Sequence, residues 1–359
     1  VGAPLPIFRL AYGRSDAEAE TSRWVLGFDF TDNLHGELDE LDIRLDDREG
    51  YFSGPFWPQK GDDLTAAIGW DSGPLAGLYG CGAFEIDESW LEGPPRTVRV
   101  LALSPGPKQK HRQSNGRSFS SCTLKDIVEQ VAAGLKFQVG GEVPKVAFRH
   151  VVQRGETDLA FLRRLAEAYG CALAVKDRTI GFTPLVDLLN MEVVATLRES
   201  DVSHYTLRSK TSEQHHAAVV RFFDPGTKAR IAQLAKPLAP LIATNPRTPG
   251  EKGLVGRTWS PQRVDVLKLY GRVENEAQAK ARIDAAMLKA KMGQVEGTMT
   301  IPGDPRLRAG MKVALEGFGV LDTEYLINKV RHRFDREGGY TAELDLSINP
   351  IQASGKVNG

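Results

Sequence analysis

Carboxylates come in close pairs early in the chain, Glu37 near Glu40 and Asp46 beside Asp47. Two carboxyl groups flanking a glycosidic bond are the equipment of glycoside hydrolysis. Adjacent strand residues point to opposite faces, however, and acidic turns are common, so solvated carboxylates are the better reading. His215 and His216 diverge in the same way. With His204 they could gather round a metal, but no further ligand stands at zinc-like spacing. Cys122 and Cys171 each sit beside a helix boundary with no identifiable histidine partner, which suits a small buried thiol better than a nucleophile. The basic stretch 108–117 holds Lys108, Lys110, His111, Arg112 and Arg117 but lacks the Gly-Lys-Ser/Thr order of a phosphate loop. It reads as a solvated loop, then as a dock for an acidic neighbour, and last as a nucleic acid contact. Trp57 and Trp90, near prolines, fit buried or edge-covering positions better than a carbohydrate surface. No catalytic, cofactor-binding or metal residue is expected among them.

The elements around these residues are more informative. Thr123 and Asp126 form a capping-box pair ahead of Leu124, Ile127, Val128, Val131 and Leu135, which share one helical face. Thr157 opens a second helix, with Asp158 where the dipole favours an anion. Leu159, Leu162, Leu165, Ala166 and Tyr169 recur at helical spacing before Gly170 ends it. A short hairpin follows, with arms 171–175 and 179–183 round a polar tip of Lys176, Asp177 and Arg178. Asn275 caps a third helix over 276–292, with Ala279, Ile283, Ala286, Met287 and Ala290 as its apolar stripe and Gly293 at its end.

Elsewhere the period is two. Trp24, Leu26, Phe28 and Phe30 alternate, as do Leu64, Ala66, Ile68 and Trp70, and Val98, Val100 and Ala102. Later runs lie at 193–197, 205–207, 217–223, 299–301, 312–315, 324–334 and 340–348. The polar stretch 105–121 reads as a linker or long loop, and 236–262, rich in Pro, Gly and Thr, as an extended excursion.

Taken in order, these blocks resemble the phage late control gene D proteins, a tail hub family related to the N-terminal part of type VI secretion spike proteins. The core of the match is 157–170 with the hairpin after it. It is supported by LDELDIRLDDREG at 38–50, AAIGWDSG at 66–73, LRAGMKVALEGFG at 307–319 and YLINKVRHRFDREGGYTAELDLSI at 325–348. The resemblance implies an α+β, mainly β fold, with two tail-tube-like antiparallel β-barrel domains separated by a small helix-strand domain. The expected divisions are 1–105, 106–190 and 191–350, the last carrying the 236–262 insertion and the 276–292 helix, with 351–359 as a flexible tail. It further implies a non-enzymatic homotrimer in the tail baseplate of a phage or phage-like contractile particle, made and assembled in the bacterial host cytoplasm. Its expected partners are a central spike protein, the tail tube protein and other baseplate proteins, with tape measure protein or DNA passing through the channel. No cofactor and no sequence-specific nucleic acid binding are expected. A type VI-like secretion hub and a tail-associated peptidoglycan hydrolase are the alternatives.

Composition agrees with such a part. A chain of 359 residues is long for one core. Its three cysteines make no Cys-x-x-Cys pair, and no apolar run approaches the roughly 20 residues of a membrane-spanning helix, so membrane insertion is not expected. The formal charge is zero, but residues 1–105 hold 8 Lys and Arg against 19 Asp and Glu, leaving −11 there and +11 in the remainder. Compensation between neighbouring domains is one explanation, and an acidic channel wall that resists DNA is the other.

Overall fold

The computed structural model describes residues 4–12, 22–104, 114–210, 217–224, 229–234, 266–269, 273–336 and 338–353. The 236–262 excursion, His215, His216, residues 108–113 and residues 354–359 lie outside the described residues.

The fold is mainly β, as expected. Six strands come first: β1 (Pro6–Tyr12), β2 (Val25–Asn33), β3 (Glu40–Asp46), β4 (Asp63–Trp70), β5 (Gly77–Glu92) and β6 (Thr97–Leu103). A mixed segment follows with β7 (Asn115–Thr123), α1 (Leu124–Leu135), β8 (Gln138–Gly140), β9 (Ala147–Glu156), α2 (Asp158–Ala168), β10 (Cys171–Lys176), β11 (Thr179–Pro184) and α3 (Leu185–Asn190). Then come β12 (Val193–Arg198), β13 (His204–Ser209), β14 (Ala217–Asp224), β15 (Ala229–Leu234), β16 (Val266–Leu269) and α4 (Glu276–Met292). The chain closes with β17 (Val295–Pro302), β18 (Lys312–Glu316), β19 (Glu324–Asp335), β20 (Gly339–Ile348) and α5 (Pro350–Ala353).

One 12-stranded sheet runs through the early and late strands in the order β1-β4-β5-β6-β3-β2-β19-β20-β17-β13, with β18 beside β19 and β12 beside β18. Its midpoint is an antiparallel seam in which Gly27–Asn33 of β2 pair with Lys329–Asp335 of β19. Alternation puts the apolar side chains on one face. Phe28, Phe30, Leu41, Ile43, Val98 and Val100 form one core, joined across the seam by Phe334 and Tyr340. Val295, Met299, Val330, Ala342, Leu344 and Leu346 form another. Each Val, Leu, Ile, Met or Phe side chain so withdrawn from water contributes roughly 1.5–3 kcal/mol.

Two expectations need correction. A bulge between Val25 and Gly27 shifts the phase of β2, so Val25, rather than Trp24 and Leu26, continues the buried row of Phe28 and Phe30. The second half of 105–121 is also strand: β7 pairs along β9, its serines facing out while Phe119 is buried. Polar composition masked that strand.

The mixed segment folds round its own core, with Val128, Phe161, Leu162 and Phe182 fully buried. Thr123 and Asp126 make the reciprocal capping box, and the Thr157 hydroxyl accepts from the Ala160 amide. The β10–β11 hairpin turns through Asp177 and Arg178, both at positive φ, the geometry that suits a two-residue connection. Helix α4 lies alongside. Asn275 caps it, and Ala279, Ile283 and Met287 bury with Ala218 and Val220. Gly170, at φ +67°, lets α4 approach, because a Cβ there would lie 3.0 Å from that of Ala285.

Candidate assembly surface

The polar face of the large sheet carries a depression and a set of cross-strand ion pairs. Inward positions are apolar, so the alternate residues of β6, β3, β2, β19 and β20 all reach the opposite side. Asp29, Thr31, Glu40, Asp42, Lys329, Arg331, Glu343 and Asp345 line an open depression of about 670 Å³ that straddles the seam. Burial pushes the Asp345 carboxyl above its usual range, opposed by Lys329 and reinforced by Glu343.

Cross-strand ion pairs decide what this face is. Arg331 Nη2 lies 2.9 Å from Asp29 Oδ2 and Arg333 Nε lies 3.2 Å from Asp29 Oδ1, both bridging β19 to β2. Arg44 of β3 reaches Asp335 at 2.5 Å, and Lys329 reaches Glu37 at 3.4 Å. Within the first half Arg99 chelates Asp42, with Nε at 2.8 Å from Oδ1. Three of these cross-seam pairs join an acidic residue of the first part to a basic residue of the last, and Arg44–Asp335 is the reverse.

Of the residues singled out for chemistry, Glu37 and Glu40 both line that depression, and the others are dispersed. Asp46 is held by Arg48 at 2.5 Å, which depresses its carboxyl. Asp47 points away from it, with its side chain fully buried. Its Oδ1 accepts from the Phe52 amide at 2.7 Å and its Oδ2 lies 3.2 Å from Arg96 Nε, so it organises the following loop. Glu37 pairs with Lys329, whereas Glu40 stands on β3 opposite Thr31. His204 is exposed on β13 opposite Thr300. No cluster of three or more potential metal ligands occurs among the described residues. Cys171 is buried and its thiol is pushed up to about 12, first by burial and then by Asp187, while burial raises the half-exposed Cys122. Of the basic stretch, Arg117 is described: it binds Asp158, which also accepts from Gln153 Nε2 at 2.8 Å and Asn115 Nδ2 at 3.0 Å. Trp90 lies under the Arg99 guanidinium, 5.4 Å from ring centre to Cζ, and Trp57 is partly exposed.

The sequence profile of the family described as phage tail baseplate hub (GPD) matches residues 96–338, more than half of the chain. The chain belongs to the phage tail baseplate hub family. A probable baseplate hub protein of Escherichia phage 186 is 26% identical over 379 aligned positions, covering 97% of this chain and 94% of that one. Among solved structures, the tail protein from Neisseria meningitidis MC58 superposes with a TM-score of 0.67 at 13% identity, covering 97% of this chain and 98% of that one. An E. coli component of the type VI secretion system superposes at 0.57 and 14% identity, covering 94% of this chain and 76% of that one. As a baseplate hub, the chain is a structural component of the virion tail.

Sequence reading missed the residues that join the hub's parts. Glu274 accepts from the amides of Arg149 at 2.6 Å and His150 at 3.1 Å, and Gln278 donates to Ala147 O at 2.5 Å. Arg164 donates to Val152 O at 3.0 Å. Side chains therefore occupy the outer edge of β9, which would otherwise offer unpaired backbone groups. A signal for another joint was available. In Phe28-x-Phe30-x-Asp32 the aspartate stands at a core-phase position, and it is fully buried.

Proposed function

We propose that this hub works as a homotrimer that joins the tail tube to a central spike of a contractile particle and adapts sixfold to threefold symmetry. The observation that carries the reading is the continuous sheet: one chain sets two β-sheet regions side by side, so three copies present six such units. On this reading residues 1–105 and 191–350 form the two tube-like units and 106–190 the insert between them. The polar face, ion-paired across the seam, is the candidate channel wall; carboxylates outnumber cations in its depression, which suits the passage of tape measure protein or DNA without strong attraction. Open edges at β1 and β13 would be closed by neighbouring copies, as exposed strand edges require. The role is geometric, with no catalytic step. A type VI-like secretion hub is the second reading, favoured by the superposition on most of the E. coli secretion component.

Light scattering of the purified chain, alone and mixed with a candidate spike, tests the proposal. The expected mass is about three times the 39.4 kDa of one chain, rising when the spike is added. A stable monomer that joins neither spike nor tube overturns it. Degradation of cell-wall material, lost on changing one carboxylate, would replace it with the hydrolase alternative.

A further inference from the structure

We infer that the tip of the β10–β11 hairpin is a proton-sensitive clasp that fastens the helix-strand insert to the rim of the large sheet. Four stretches distant in sequence converge there on a cavity of about 220 Å³ lined by Phe30, Asp32, Asp39, Cys81, Lys176 and Arg308. Lys176 Nζ contacts Asp32 directly and lies 3.8 Å from Asp39 Oδ2. The Asp32 side chain is fully buried, and its Oδ2 accepts from the Ala309 amide at 3.1 Å. Asp39 Oδ1 accepts from the Asn33 amide at 2.9 Å, and its own amide donates to Ser104 Oγ at 3.0 Å. One residue further along the tip, Asp177 Oδ1 accepts from the Ala83 amide of β5 at 2.9 Å. Gly82 adjoins that contact at φ +113°, where a side chain would be strained. Behind the tip, the Leu173 amide donates to His35 Nδ1 at 3.0 Å, and the Gly36 amide to Leu173 O at 2.9 Å.

The clasp is sensitive to protons because two nearly buried carboxylates share one ammonium. Burial raises the Asp39 carboxyl to about 7, with Asp32 adding to the rise and Lys176, the Asn33 amide and Arg308 opposing it. His35, behind the tip, is pushed below the usual imidazole range by burial, opposed by Glu167 and reinforced by Arg163 and Lys289. Cys81 is pushed up to about 12 by burial, and His332, which contacts Arg308 at 3.2 Å, is held down to about 3 by burial and by that guanidinium. The sign follows from linkage. The folded chain keeps a proton on Asp39 that the unfolded chain releases near pH 4, so this stabilisation is complete below about pH 4 and is lost as pH rises to about 7. The clasp is therefore tighter in mild acid than above neutrality.

Hydrogen–deuterium exchange of the full chain at about pH 6 and about pH 8 tests this, with Asp39→Asn run in parallel to remove the intrinsic pH dependence. Peptides covering 80–84 and 174–180 should exchange several-fold faster at the higher pH in the parent than in Asp39→Asn, while a seam peptide over 327–333 does not differ. Lys176→Met should expose both clasp peptides at either pH, and Asp177→Ala, which removes no buried charge partner, should expose 80–84 alone. Parent and Asp39→Asn tracking together overturns the proton sensitivity. Full protection of 80–84 in Asp177→Ala overturns the clasp, even if Lys176→Met fails to fold, and so does equal loosening of the seam peptide. Because these readouts are confined to one chain, they stand apart from the mass measurement that tests the trimer.

Discussion

The hub is joined in two places by different means. At the seam, β2 and β19 exchange a backbone ladder, with ion pairs on one face and packed aromatic residues on the other. At the insert, a few buried side chains do the joining: Lys176 and Asp177 on the large sheet, Glu274 and Gln278 on β9. A ladder pairs backbone groups whatever the side chains are, its buried face sets the register, and its exposed charges contribute little singly. A side-chain joint is local and cheap in residues, but it depends on each group and on its charge state. The rigid joint therefore lies where sheet continuity matters, and the sensitive one where an insert meets it.

The largest expected effect comes from breaking the seam's core. Phe30 is fully buried and its ring stacks 5.8 Å from that of His332, across the seam. Phe30→Ala should cost about 3–5 kcal/mol in denaturant unfolding. A smaller loss would mean that the seam's packing is secondary to its ladder. Next is the side-chain joint at β9. Removing the Glu274 carboxylate leaves two amides without that acceptor, so Glu274→Ala should cost about 1–3 kcal/mol and speed exchange at 147–151. Unchanged exchange there would show that the strand edge does not need its cover. The smallest effect is expected on the polar face. Asp29 takes two arginines, both largely solvated, so Asp29→Asn should lower stability by about 1 kcal/mol or less, with the difference shrinking in high salt. A salt-independent loss of several times that size would place the seam's strength in its ion pairs rather than in the ladder and core.

The capped elements were readable from sequence because their signals are local. Thr123 with Asp126, Thr157 and Asn275 each marked a helix start, and the alternation from Ala342 to Ile348 marked β20. Bulges were not readable: one extra residue near Leu26 inverts which side chains face the core, and no residue type announces it. Strand β7 was hidden by its serines and arginine, since a two-stranded ribbon with one wet face needs few apolar residues. The assembly surface was legible only as a charge imbalance between the two ends of the chain. Which acids meet which bases depends on β2 choosing β19, a non-local pairing with no sequence motif. Lys176 looked like an ordinary charged turn residue because its partner Asp32 lies 144 positions away.

That non-local choice has a consequence for synthesis. The seam joins residues such as Asp29 and Arg331, which stand 302 positions apart along the chain. On a ribosome β2 emerges early, and its partner arrives only after nearly everything else has been made. Until then its edge is open, in a strand rich in phenylalanine, and pairing over such a separation is slow. A chain cut before β19 thus keeps an adhesive edge at β2, and only one that contains β19 can close it.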